Sequence, residues 1–322
     1  MEGLMYLSSF ALIEPEDRFY FYQPSWLNAW EAHLYNLALK STRKNGWGLK
    51  RFGTDGSLYA GEMIRNPQYI KYLEAMEQAA DAALQALSTK ERMKLFKSRT
   101  AFIYADSWGE TGLLESISSA LHISMLDTLP KNLVKKFSVN DPTCKMRGEK
   151  YAFTQAMSMA QDYLYWDVFD YVVICCAYRA IPIMVFSEED IAVARWAKSA
   201  QQADGVNLTV ERVGCFIFSR HESALKVNSG RYMAAGRADI SQLNAEDVEI
   251  MAFAGLREKS FPAELQQKVI RLADIYGYSG CLTPALSFEY LRQHPVAAGK
   301  IRTIVPDNLS GYHYFDIEYS VG

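Results

Sequence analysis

The run Tyr171-Val-Val-Ile-Cys-Cys constrains this chain more than any other stretch. It is continuously apolar with turn chemistry on both sides, which suits a strand buried on both faces of a central sheet. Just before it, Ala152, Ala156, Met159, Ala160 and Tyr163 recur at helical spacing and predict a helix from about Tyr151 to Tyr165. Its small residues let the backbone pack closely against neighbours, deep in a fold. Ahead of the helix, Phe137–Asn140 reads as a short strand, followed by a polar loop. A strand, a loop, a buried helix and a second buried strand point to an α/β fold with helices on both sheet faces.

A chain of 322 residues can bury a sizeable core, as one large or two fused half-domains. Hydrophobic content of 49% and charged content of 22% are ordinary for a soluble globular protein, and cytoplasmic residence is expected. A net charge of −3 leaves no electrostatic footprint for nucleic acid or an anionic membrane. Five cysteines without C-x-x-C spacing argue against a disulfide framework and against a zinc site. The N-terminus lacks a basic region before its apolar residues, which speaks against a secretory signal. No apolar run reaches membrane-spanning length. The 20 Tyr, 16 Phe and 6 Trp are best spent on a core and a partner interface, since base stacking would come with a basic balance.

In order along the chain, Met5–Ile13 predicts a strand, and Phe19–Leu39 is aromatic with Trp26, Trp30 and Tyr35 near helical spacing. Residues 40–61 are glycine-punctuated and read as loop. Asn66-Pro opens a helix to about Leu87, and Arg99–Gly109 contains a strand. Helices are expected over Gly112–Leu121, from Ser187 to about Gln201, and over Phe261–Leu272. Val213–Arg220 and Tyr312–Tyr319 read as strands.

These segments, in this order, resemble the β-ketoacyl synthases of the thiolase superfamily. Arg99-Thr-Ala-Phe-Ile-Tyr-Ala-Asp-Ser is similar to the family's RTGVIVGTS strand, Asp170-Tyr-Val-Val to its DVVV strand, and Val213-Gly-Cys-Phe-Ile-Phe-Ser-Arg to GAGVVVLKR. Ile275–Leu291 resembles the segment built around Gly-His-Thr, and Asp307–Gly311 stands where the family has a glycine-rich turn. The resemblance covers about residues 70–319. It implies a duplicated, layered α-β-α-β-α fold with two pseudo-symmetric halves, here divided as 1–204 (with an aromatic segment 1–65) and 205–322.

The same resemblance implies a nucleophilic cysteine and two proton-handling or oxyanion-holding groups. Residue by residue, the nucleophile position falls on Lys150, the first histidine on Phe253 and the second on Tyr278. A phenyl ring transfers no proton, and a phenol near pKa 10 is a poor base at neutral pH. Cys144, six residues before Lys150, is the rival nucleophile; as a loop cysteine it would lack the helix N-terminus that lowers a thiol pKa. Cys175, Cys176, Cys215 and Cys281 read as core residues. Of five scattered histidines, His313 stands nearest a family active-site loop, and no pair has metal-ligand spacing.

The expectation is a non-catalytic ketosynthase-like subunit of the chain-length-factor type, with no metal and no cofactor. Its expected partners are an active ketosynthase subunit and an acyl carrier protein. The partner or tunnel contact is placed at Phe137, Asn140, Phe153 and Met157. The alternatives are an active acyltransferase or condensing enzyme using Cys144, and a small-molecule binding protein on the same fold.

Overall fold

The computed structural model describes residues 5–25, 27–52, 67–107, 131–139, 143–147, 149–187, 205–234, 247–256, 268–294, 298–306 and 311–320. Ten strands form one continuous sheet that repeats a five-strand pattern. From the outer edge inward, the first copy runs β5 (Thr143–Arg147), β4 (Thr100–Ser107), β6 (Tyr171–Tyr178), β8 (Arg212–Ser219) and β1 (Met5–Ile13). The second runs β11 (Lys268–Arg271), β10 (Ile250–Phe253), β12 (Ala298–Pro306), β13 (Tyr312–Ser320) and β9 (Leu225–Met233). In each copy the outer three strands are parallel and the next two pairings antiparallel. The copies join through β1 and β9, with Met5 opposite Val227 and Tyr6 opposite Lys226.

Side-chain alternation along these strands separates two apolar layers. On β4, Ala101, Ile103 and Ala105 face a central layer, while Phe102 and Tyr104 face outward. The central layer holds α5 (Ala152–Tyr165) and α8 (Leu286–Gln293). Helix α5 buries Ala152, Phe153, Ala156, Met157, Ala160 and Leu164, and touches β4 and β6 of one copy and β9 and β13 of the other. The outer face of the first copy is covered by α2 (Pro67–Ala86), α3 (Thr89–Lys97) and α4 (Lys131–Lys136). Alanines 75, 79, 80 and 83 let α2 lie close on β1 and β8. Helix α3 starts on a reciprocal Ser88–Glu91 capping box.

A second, three-stranded sheet of β2 (Tyr20–Phe21), β3 (Gly46–Lys50) and β7 (Val206–Val210) lies beside α1 (Ala29–Thr42). Strand β3 falls inside the stretch expected to be loop. Its glycines mark close approach rather than a turn: a Cβ on Gly48 would lie 2.9 Å from the Phe19 ring. Trp47 is buried there and donates its indole N–H to the Thr209 hydroxyl at 2.8 Å.

Two further expectations shift. Phe137 and Ser138 form the turn that closes α4, with Ser138 at φ 53°, and the strand is Thr143–Arg147 instead. Residues 268–271 of the expected surface helix pair in parallel with β10, as their Val-Ile pair favours, and α7 (Leu272–Tyr276) follows. Strand β8, which contains Val213–Ser219, lies between β1 and β6 and so belongs to the first run of five strands. Short helix α6 (Pro182–Ser187) follows β6 with proline in its first turn. Trp26, Asn140, the helix expected over Gly112–Leu121, the one expected after Ser187, residues 261–267 and the turn at 307–310 lie outside the described residues.

Candidate functional site

Both central helices are preceded by a 3₁₀ turn, Glu149–Tyr151 before α5 and Gly280–Leu282 before α8. The two turns touch each other, and both reach the end of β4; the second also reaches β6 and β8. The carboxyl ends of parallel strands are where layered α/β folds place ligands. The doubling of the fold therefore brings two such ends, one from each half, to one junction.

The second turn is pinned by buried polar groups. Arg212, 4% exposed, donates to the carbonyls of Tyr276 and Gly277 and to the Ser279 hydroxyl, and binds Glu14 at 2.7 Å from its far side. The Ser279 hydroxyl donates to the Val210 carbonyl at 2.7 Å, and its backbone N–H donates to the Thr283 hydroxyl at 2.8 Å. Tyr278 pairs its backbone with Leu208 and Val210 of β7. Gly280 has φ 49°, and a Cβ there would run into the Tyr178 ring. Only glycine fits both the conformation and the space.

The positions expected to carry chemistry separate here. Lys150 lies half-buried on the first turn, its ammonium 5.4 Å from the centre of the Tyr151 ring. Tyr278 lies buried at the junction, its ring 6.1 Å from that of Tyr178. Phe253 points the other way, into an outer cluster with Met251, Ile304 and Tyr312. The inward residues at that strand end are Ala252 and Ala254, which hold no proton. Cys144 is half-buried on β5, level with Ile103 and facing the central layer. It sits within a strand rather than in a loop, two residues short of Met146 and before the strand's end.

His313 does come to the junction. Its ring is 4.7 Å from Tyr151 on one side and 4.7 Å from Tyr232 on the other, and the Tyr151 hydroxyl donates to the Pro306 carbonyl at 3.1 Å. Cys176 and Cys281, one from each half, lie with sulfurs 3.5 Å apart in full burial. Burial and the neighbouring Cys281 push the Cys176 thiol up, away from nucleophilic use. Burial and Cys175 do the same to Cys215.

Of the residues expected at a partner or tunnel contact, Phe137 is enclosed in the outer layer against Phe102. Phe153 and Met157 are enclosed in the central layer, with Phe153 4.7 Å from the Phe216 ring. Ser107, Gly280 and the Cys176–Cys281 pair were not singled out by sequence reasoning. Ser107 closes the Arg99–Ser107 strand motif, and its place at a parallel strand's carboxyl end is the signal that could have marked it. Among the described residues no group of three His, Cys, Asp or Glu could hold a metal ion, and no helix is long and apolar enough to cross a membrane.

Comparison with solved structures identifies this arrangement. OleA of Xanthomonas campestris matches over 99% of both chains with a TM-score of 0.60 and 11% identity. The fold is thiolase-like. A 3-oxoacyl-(acyl carrier protein) synthase III, FabH of Xanthomonas oryzae, matches over 99% of both chains with a TM-score of 0.59 and 10% identity. An OleA variant with bound lauric acid and lauroyl-CoA matches at 0.59 and 11%, over 99% of this chain and 100% of that one. No protein-family model and no curated protein sequence matches the chain. At such identities the thiolase-like likeness speaks for the fold, shared with ketosynthase-type condensing enzymes, and not for the residues at the junction.

Proposed function

We propose that this chain is a non-catalytic ketosynthase-fold subunit that pairs with an active ketosynthase and shapes an acyl-binding junction. One observation carries the reading: the turn entering α5 presents Lys150 where a nucleophile is expected, and the strand end that would bring a histidine offers alanines. The nearest buried thiols, Cys176 and Cys281, face each other, and burial with Cys281 alongside pushes the Cys176 thiol up. The partner contact then belongs to β5, the edge strand of the large sheet among the described residues, since Phe137, Phe153 and Met157 are spent inside the chain.

The substrate class is an acyl group on a thioester carrier, as the bound lauroyl-CoA of OleA and the acyl carrier protein of FabH suggest by analogy of fold. Co-expression with a ketosynthase encoded beside it should give a stable complex on size exclusion. A chain that stays alone at every concentration removes the proposal. Intact mass after incubation with lauroyl-CoA should show no added acyl mass.

A second reading has one observation in its favour. Cys144 faces the central layer rather than solvent, so a thiol is within the fold that could take an acyl group. An acyl adduct lost in Cys144→Ala would establish it in place of the first.

A further inference from the structure

Ser107 is the last residue of β4, and its side chain follows Ala101, Ile103 and Ala105 on the inward face. It is 2% exposed, and its hydroxyl is buried with no hydrogen-bond partner among the described residues. Its backbone is used, the carbonyl accepting from the Arg179 N–H at 3.0 Å. A buried hydroxyl without a partner lowers stability, and alanine, already used twice on the same face, would fill the same place without that cost. Packing does not explain the residue.

The hydroxyl lies 3.1 Å from the point where a Cβ on Gly280 would stand. It therefore points at the bare backbone of the turn entering α8, beside the ring of Tyr178, its register neighbour on β6. This is the junction where the two entrance turns meet. The Tyr178 ring beside it is a poor hydrogen-bond acceptor, so the hydroxyl is left to serve an oxygen from outside the chain.

We propose that the Ser107 hydroxyl is a ligand-binding group that donates a hydrogen bond to the carbonyl or carboxylate oxygen at the head of an acyl ligand. This rests on the acyl reading of the junction given above. Ser107 is a binding residue in it and forms no covalent bond.

The test uses the full chain, with calorimetric titration of lauroyl-CoA and of lauric acid, and thermal unfolding of the free protein. Ser107→Ala should bind about tenfold more weakly to at least one probe, the worth of one buried hydrogen bond. Loss toward lauroyl-CoA alone marks a thioester carbonyl, and loss toward lauric acid alone a carboxylate. The free Ser107→Ala protein should unfold at the wild-type temperature or about 2 °C above it. Ser107→Cys, close in shape and a weaker donor, should fall between the two and replaces the alanine variant if that one fails to fold. Unchanged affinity for both probes overturns the assignment, as does a clear drop in unfolding temperature, which would reveal a partner inside the protein. A wild-type chain that binds neither probe instead overturns the acyl reading, and this assignment with it.

Discussion

Asp170 ties three segments together with one carboxylate. It accepts from the Arg99 backbone N–H at 3.2 Å, from the Arg99 guanidinium at 3.1 Å and from Arg220 at 3.3 Å. The hydrogen bond from Arg99 holds its carboxyl below the ordinary 3.8. A carboxylate lowered in the folded state contributes stability above the unfolded value, and that stability is lost as pH falls through the lowered folded value. Asp170→Asn should therefore lower the unfolding temperature at pH 7 and flatten its fall between roughly pH 5 and pH 2. Parallel curves for the two proteins would refute the assignment. At Gly280 the backbone decides: Gly280→Ala forces a left-handed φ on a side chain that also meets the Tyr178 ring. A loss of about 2 kcal/mol or more in urea unfolding is expected.

Helix α5 is the element on which both halves close. Its buried stripe touches both copies of the sheet, so a change there is felt twice. Phe153→Ala empties a fully buried site against Phe216 and should cost about 3–5 kcal/mol in chemical denaturation. Trp166, just past the same helix, is 72% exposed, and Trp166→Ser should change stability by no more than about 0.5 kcal/mol. Strand β12 carries a different load. Arg302 and Asp316 form a buried two-pronged pair at 2.7 and 2.8 Å across β12 and β13, and Asp316→Ala, which removes both of these charge-assisted hydrogen bonds, should cost about 3 kcal/mol.

At the scale of the whole molecule, the central layer draws Ile103, Ile174 and Phe216 from one copy and Ile250, Ile301 and Ile317 from the other. Neither copy can cover its own inner face without the other. A fragment ending in the turn after Ser219 should thus lack the fixed near-ultraviolet circular dichroism of a packed core, and the intact chain should unfold in one transition. A fragment with a sharp transition of its own would show that the halves are independent.

Much of this was legible in the sequence where one short periodicity settles the answer. The small-residue spacing of α5 and the unbroken apolar run of β6 announce their type and burial locally, and the order of such segments carries the thiolase-like plan. Strands β3 and β11 stayed hidden, because glycines that admit a ring and a four-residue pairing leave no periodic trace. The candidate site was legible only in part. Lys150 and Tyr278 reach the junction, whereas Phe253 turns outward, since one residue of register moves a strand side chain to the other face. The orphan hydroxyl of Ser107 and the facing thiols of Cys176 and Cys281 join residues far apart in the chain. Sequence determined the long central helix, the fully buried strands and the order in which they follow one another, because those are local matters of spacing and polarity. Tertiary structure alone decided which side chains meet at the junction, because that depends on how two copies of one pattern pack across a shared layer.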